Sequence, residues 1–218
     1  MESPRLIIFD VDGTLLPGTS CERLFFQHLI DNRILTFRNL FHFAFRGLTL
    51  LPHGRTYALK ANKGYLRGHS IEKMIAIGKE FFSTEVAGRI SKKGIARLNE
   101  HRDKGERITL LSGMPEFLLI NFAEYLKVEN YKGSVLEVKS DKITGRTIGV
   151  FPLSRGKADI VESIIKEHGI GWNDVTAYGD HYGDRYLLDK VGHPVAVNPN
   201  YGLRQIAVEK GWAIEVFD

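Results

Sequence analysis

The chain has 218 residues, 43% hydrophobic and 26% charged, ordinary values for a globular protein long enough to bury a sizeable core. Its single cysteine, Cys21, excludes an intramolecular disulfide and a thiolate metal cluster. The net charge of +4 is unevenly placed: of 30 Lys/Arg and 26 Asp/Glu, eight basic and only two acidic residues fall between Ser20 and Ser70, which suits an anionic substrate or an anionic membrane better than nucleic acid.

Leu6-Ile7-Ile8-Phe9 is a continuous apolar run, the pattern of a strand buried on both faces. Asp10 and Asp12 follow where it runs out, and Gly13-Thr14 lets the backbone turn tightly beyond them. Acids at the carboxyl end of a central strand lie where open α/β sheets bind ligands, and two so close repel unless a proton or a cation intervenes. From Gly18 the pattern turns helical: Leu24, Phe25, His28 and Leu29 share a face. Phe37, Leu40, Phe41, Ala44 and Phe45 form a second apolar stripe, read as core packing. Leu35 to Leu51 is the most apolar window, but Arg38, Arg46 and Gly47 interrupt it and it is too short to span a bilayer. After Pro52-His53-Gly54 an amphipathic segment runs from Thr56 to Leu66. Ser70 is a candidate N-cap for a helix carrying Ile71, Met74, Ile75 and Ile77, and another helix is predicted from Glu85 to His101.

Arg107 to Leu111 reads as the next sheet strand, ending in Ser112-Gly113-Met114-Pro115, with Pro115 opening a helix that bears Phe117, Leu118, Phe122 and Leu126. Val135 to Val138 and Thr147 to Val150 can pair as a hairpin. Arg155 to His168 is helical, with Gly169 as C-cap. Val175 to Tyr178, Val195 to Val197 and Ala213 to Val216 complete the strands. Strands alternating with helices predict an α/β fold with a doubly wound parallel sheet. The nearly strand-free stretch between the first two strands is too long for one crossover, so it is read as an inserted helical cap: residues 17–101, with 1–16 and 102–218 as the core.

Four pieces converge at strand ends or helix starts. Asp10 and Asp12 are the first, and Ser112, at a predicted helix start where a hydroxyl and free amides hold an anion or simply cap, is the second. Lys157 falls in a first helical turn, opposed to the helix dipole, so it gains most from a nearby anion. Asp180 and Asp184 sit in a turn that Gly179 and Gly183 leave free for close approach. Two pairs of acids, a hydroxyl and a lysine describe a magnesium-assisted phosphoryl site, because hard carboxylate oxygens suit Mg²⁺.

In order these residues read Asp-x-Asp-Gly-Thr, Ser, Lys, Gly-Asp-x-x-x-Asp. From FDVDGTLL through LLSGMPEF and SRGKADIV to YGDHYGDRYLL the chain resembles the haloacid dehalogenase (HAD) superfamily, in its phosphoserine-phosphatase-like branch. The resemblance implies a Rossmann-like core with a helical cap and hydrolysis of a phosphomonoester, either a small phosphorylated metabolite or a phospholipid head group. It implies that Asp10 becomes an aspartyl phosphate while Asp12 acts as general acid and base. Mg²⁺ would be held by Asp10, the backbone carbonyl of Asp12 and Asp180, with Asp184 supporting the metal or the lysine. Ser112 and the Gly113 amide would bind phosphoryl oxygens, Lys157 would bridge Asp10 and phosphate, and Thr14 and Lys63 are further substrate-binding candidates. The acid at Asp12 argues against dehalogenation.

Phosphoserine phosphatases of that branch place an acid where Thr19 stands and an arginine where Asn62 stands, with Lys63 alongside as a substitute cation. Free phosphoserine is therefore disfavoured. No role is implied for His181, which is expected to face solvent. A receiver-type phospho-acceptor domain also clusters acids, a hydroxyl and a lysine, but the Asp-Gly-Thr turn and the large insertion count against it. An idle binding protein on the same fold is disfavoured because every chemical position is filled. With its first strand starting at Leu6 and no spanning segment, the protein is expected in the cytoplasm, with peripheral membrane contact left open by its basic, aromatic cap and no nucleic-acid partner expected.

Overall fold

Strand β1 (Leu6–Phe9) is buried along its whole length because it lies at the middle of a seven-stranded sheet of order β4-β3-β2-β1-β5-β6-β7. The computed structural model describes residues 5–218. β2 (Arg107–Pro115) and β5 (Val175–Gly179) flank β1 in parallel, and β3 (Asn130–Lys139), β6 (His193–Val197) and β7 (Ala213–Glu215) extend the parallel ladder. Only β4 (Lys142–Ile148) runs antiparallel, against β3. The predicted doubly wound α/β fold is therefore present. Alternation along β1 divides the core: Ile7 and Phe9 join the cluster on one face, Leu6 and Ile8 the cluster on the other. Helices α5 (Lys92–Asp103) and α6 (Glu116–Leu126) contribute to the first cluster, α7 (Arg155–His168) and α9 (Tyr201–Lys210) to the second, and α8 (Arg185–Leu188) is a single turn after β5.

Several predicted elements stand as read. α7 spans 155–168 and ends on Gly169 at φ 63°, the left-handed conformation that favours glycine. The β3–β4 hairpin forms, but β4 runs Lys142–Ile148, so it starts earlier than the expected Thr147–Val150 strand and leaves Gly149 and Val150 outside; the turn is Ser140-Asp141, both at positive φ as a two-residue hairpin turn requires. α4 (Ile71–Phe81) is capped by Ser70, whose Oγ accepts the Lys73 N–H.

Other elements differ. β2 continues to Pro115, which sits in extended backbone outside α6, and its register against β3 shifts between Leu111 and Pro115. Ser112 therefore lies in an irregular strand end, not at a helix start. The predicted 85–101 helix is broken: Ile90 is extended and Ser91 caps α5 by accepting the Gly94 N–H. The contacts of α5 are those of a core helix, although the sequence reading put it in the cap. Gly94 lies where a Cβ would meet Leu15 and Phe217 at 3.0 and 3.1 Å, and the His101 ring bonds the Tyr178 hydroxyl at 2.7 Å. Arg97 forks onto Glu215, and the Ser91 N–H donates to Leu15 O.

The helices inserted between β1 and α5, which we take as the cap, are α1 (Cys21–Asp31), α2 (Phe37–Leu50), α3 (Arg55–Lys60) and α4, joined by short turns. The expected 56–66 helix stops at Lys60; Asn62 and Lys63 follow it into the interior. The Phe37–Phe45 stripe of α2 faces solvent, contrary to the core packing expected, because the cap interior is already filled by Phe25, Phe26, Phe43, Tyr65 and Phe81. The segment after Leu66 is stitched to the hairpin: the Gly68 N–H donates to Ile143 O, the Ile143 N–H to His69 O, and the Ile71 N–H to Asp141 O, at 2.8 to 3.1 Å.

A charged pair lies inside this cap. Lys63 Nζ donates to Glu22 Oε2 at 2.5 Å and to Lys60 O at 2.7 Å, while the Tyr65 hydroxyl donates to Glu22 Oε1 at 2.9 Å. Burial pulls the Lys63 ammonium below its usual range even with Glu22 beside it. Glu22→Ala would strand that ammonium, so it should cost about 3–5 kcal/mol in urea unfolding. Tyr65→Phe removes one neutral donor and should cost about 1 kcal/mol. A loss from Glu22→Ala no larger than that from Tyr65→Phe would mean that the pair is effectively solvated.

Candidate active site

Asp10 stands one residue beyond β1, its N–H still bonded to Tyr178 O of β5 at 3.0 Å, so the sheet itself fixes where its carboxylate points. Oδ1 accepts the Val11 N–H at 2.8 Å and Oδ2 meets Lys157 Nζ at 2.7 Å. Lys157, in the first turn of α7, also bonds Asp184 Oδ1 at 2.6 Å. Asp184 arrives from the turn after β5, where Gly179 makes room: a Cβ there would lie 2.8 Å from the Asp184 Cβ. Asp180 rests against Gly13, which has φ 80° and where a Cβ would lie 2.1 Å from Asp180 Oδ2. Gly179 is needed for close approach, as the sequence suggested, whereas Gly183, the other glycine expected to serve, borders Ser154 and His181 and not a carboxylate; Gly13 takes that part instead.

The result is a cluster in which the buried Asp10 and Asp184 and the half-buried Asp180 each place an oxygen within 4.8 Å of the others. Burial pushes the Asp10 carboxyl up to about 6, against the pull of Lys157. Asp180 is pushed up to about 8 by burial and by the negative charge of Asp10 and Asp184. For Asp184 burial also works upward, but Lys157 and the His181 N–H outweigh it and hold the carboxyl below its usual range. Burial opposes the Lys157 ammonium, yet its two carboxylate partners hold it well above the ordinary lysine range. Three carboxylates against one ammonium leave an excess of negative charge made of hard oxygens, a donor set that fits Mg²⁺.

The Asp12 carboxylate is not part of that cluster. It turns toward the start of α1, accepting the Cys21 N–H at 2.9 Å and the Ser20 hydroxyl at 3.1 Å. Any share of Asp12 in holding a metal thus falls to its backbone carbonyl. Ser112 is buried with its Oγ accepting the Met114 N–H at 3.3 Å, and Gly113 is half-buried beside it. Thr14 is buried, and its Oγ1 has no hydrogen-bond partner among the described residues. Lys63 does not reach the site, because Glu22 and Lys60 O engage its ammonium within the cap.

Four residues of the site were missed in the sequence. Glu22 and Lys60 come from the cap and enclose, with Asp10, Asp12, Ser112 and Lys157, a cavity of about 30 Å³. Beside it lies a chamber of about 300 Å³ between Phe26, Phe43, Leu59 and Tyr65, with Arg23 and Lys60 on its lining. His181, expected to face solvent, is half-buried: its Nδ1 accepts the Gly183 N–H and its own N–H orients Asp184. Asn198, at φ 43° after β6, donates from Nδ2 to Gly13 O at 3.3 Å and to Phe217 O at 2.8 Å. An asparagine just past a strand, where left-handed backbone is tolerated, was the one available signal for that latch.

Comparison with known proteins agrees with this geometry. Residues 7–189 match the haloacid dehalogenase-like hydrolase family. The chain is 31% identical over 216 residues to "Phosphoserine phosphatase SerB1" of Mycobacterium tuberculosis, covering 96% of this chain and 70% of that protein. It is 27% identical to "Histidinol-phosphatase" of Neisseria meningitidis serogroup C, covering 96% and 97% respectively. A solved structure of a protein of unknown function from Bordetella pertussis Tohama I superposes with a TM-score of 0.84 over 98% of both chains, at 24% identity.

The crowded carboxylates make a prediction. Without metal, Asp10 and Asp180 keep protons in the folded state that the unfolded chain releases above about pH 4, so stability should fall as pH rises through about 6 and 8. Asp184 is held below the usual carboxylate range and Lys157 above the usual lysine range, so both titrate outside that window. Mg²⁺ competes with those protons, so the rise in Tm on adding it to chelator-treated protein should be larger near pH 8 than near pH 6. Equal rises at the two pH values would mean that these carboxylates do not hold the ion.

Proposed function

The chain belongs to the haloacid dehalogenase-like hydrolase family as one of its phosphatases, and from that premise we propose that it hydrolyses a phosphomonoester through an aspartyl phosphate on Asp10 with Mg²⁺ bound. The observation that carries the reading is the buried arrangement of Asp10, Lys157 and Asp184, with Asp180 alongside. Asp10, Asp180 and the Asp12 carbonyl would hold Mg²⁺, and Asp184 would support them; the ion supplies positive charge that offsets charge on the phosphoryl oxygens.

An Asp10 oxygen attacks phosphorus and the bond to the substrate's alcohol oxygen breaks. Asp12, aimed by the first amide of α1 and by Ser20, gives its proton to the departing alkoxide. Water then attacks phosphorus, Asp12 takes its proton, and the bond to Asp10 breaks to release inorganic phosphate. The Ser112 hydroxyl and the Gly113 amide hold the phosphoryl oxygens, and the Lys157 ammonium keeps Asp10 oriented while meeting the same charge.

The cap supports a substrate other than free phosphoserine. An acid does reach the site, in Glu22, but Lys63 and Tyr65 already engage both its oxygens, so it offers little to a substrate ammonium. Lys60 and Arg23 are exposed on the chamber beside the cavity, whose apolar lining comes from Phe26, Phe43, Leu59 and Tyr65. An alcohol with an apolar body, or with an anionic end near Lys60, fits that lining.

Three measurements test the reading. Asp10→Asn should keep the wild-type fold and lose nearly all turnover of p-nitrophenyl phosphate, and appreciable residual activity in clean protein would remove Asp10 as nucleophile. Asp12→Asn should lower kcat by roughly 10²- to 10⁴-fold; a change confined to Mg²⁺ affinity would make it a ligand only. Across a panel of phosphomonoesters, phosphoserine should show a lower kcat/KM than at least one ester of a larger alcohol, and Lys60→Ala should raise KM for that ester more than it lowers kcat. Phosphoserine as the best substrate would overturn the account of the cap.

A further inference from the structure

Helix α2 presents its apolar face outward. At 100° per residue Phe37, Leu40, Phe41, Ala44, Phe45 and Leu48 share one side, and that side is exposed: 93% for Phe37, 68% for Phe41, 59% for Phe45 and 66% for Leu48. A helix docked on a core for its own stability would do the reverse. The outward pose is enforced from the other side. Thr36 and Asn39 form a capping box, Asn39 Nδ2 donates to Arg67 O at 2.8 Å, and Asn62 Nδ2 donates to Phe43 O at 2.8 Å. Gly64 packs so closely that a Cβ would lie 2.8 Å from His42 O. The helix is anchored by the face that carries Asn39, Phe43 and Gly47, with Phe43 packed on Phe26 and Tyr65, and its outer apolar stripe meets no other element among the described residues.

The charge around the stripe is one-sided. From Asn32 to Ser70 the sequence holds seven Lys/Arg and no Asp or Glu. Arg33 and Arg38 are exposed at the start of α2, and Arg55 is exposed just beyond its end. We propose that this face docks on an anionic lipid bilayer, with α2 lying in the plane of the interface, its Phe and Leu side chains among the upper acyl chains and the arginines on lipid phosphates. The 14 residues of α2 extend about 21 Å, and among the described residues no helix is long and apolar enough to cross a membrane, so the contact is superficial. A second copy on the same face is disfavoured by charge: a two-fold contact would set arginine against arginine with no acid in the segment to meet it. The inference concerns where the protein sits and does not depend on the catalytic reading.

Vesicle co-sedimentation decides it without any turnover. Wild-type protein should bind vesicles of phosphatidylcholine mixed with phosphatidylglycerol, release as salt is raised, and bind pure phosphatidylcholine far more weakly. The double change Phe37→Ser/Phe41→Ser should weaken binding at least tenfold, and Arg38→Glu/Arg55→Glu should weaken it by roughly fivefold or more per residue. Both variants alter exposed side chains and should keep the wild-type Tm. Failure of the wild-type protein to bind the mixed vesicles at low salt would overturn the proposal, as would undiminished binding by the serine variant. So would light scattering that finds a wild-type dimer and a monomeric serine variant, which would give the face to a second copy.

Discussion

Burying three carboxylates within reach of one another is unfavourable, and the single ammonium of Lys157 offsets it only in part. The architecture of the core follows from meeting that demand. Asp10 and the Asp180–Asp184 turn come from β1 and β5, which are neighbours in the sheet although about 170 residues apart in the chain. α7 brings Lys157 to the same edge on its first turn, and Gly13 and Gly179 remove the side chains that would hold the acids apart. The geometry is therefore strained electrostatically and relaxed sterically, a condition suited to a divalent cation and an anionic substrate arriving together.

The cap uses charge differently. Glu22 and Lys63 satisfy each other inside it, and their effect on the site is to withdraw the lysine that the sequence offered to a substrate together with the acid that meets it. What remains at the mouth is Lys60, with Arg23 on the chamber behind it. Asp12 is tied to the same module, because its carboxylate is held by Ser20 and the Cys21 amide at the start of α1. Placement of the Asp12 carboxylate and placement of the cap are one event.

Much of the core was legible in the sequence because its signals are local. A four-residue apolar run, two acids and a glycine specify the end of β1; a 3.6-residue period closed by Gly169 specifies α7. The failures share a cause: periodicity marks a face but not what the face meets. The stripe of α2 is as apolar as a core stripe and lies outward because other aromatics already occupy the interior. Lys63 reads as a cation available to substrate until Glu22, forty-one residues away, is brought beside it. Ser112 reads as a helix cap because nothing in the sequence shows that β2 shifts register and runs on to Pro115. α5 joins the core through Tyr178, Glu215 and Phe217, partners contributed by the far end of the chain.

The three backbone bonds between residues 68–71 and the β3–β4 hairpin have a mechanical consequence. The cavity between Asp10, Ser112 and Lys60 is only about 30 Å³, so the cap lies close over the Asp10 carboxylate. A lid hung only from its two chain connections could pivot freely. This one is laced at a third point to a ribbon rooted in the central sheet, since β3 pairs with β2 before it pairs with β4. Any movement of the cap away from the core would have to bend that ribbon or break those three bonds.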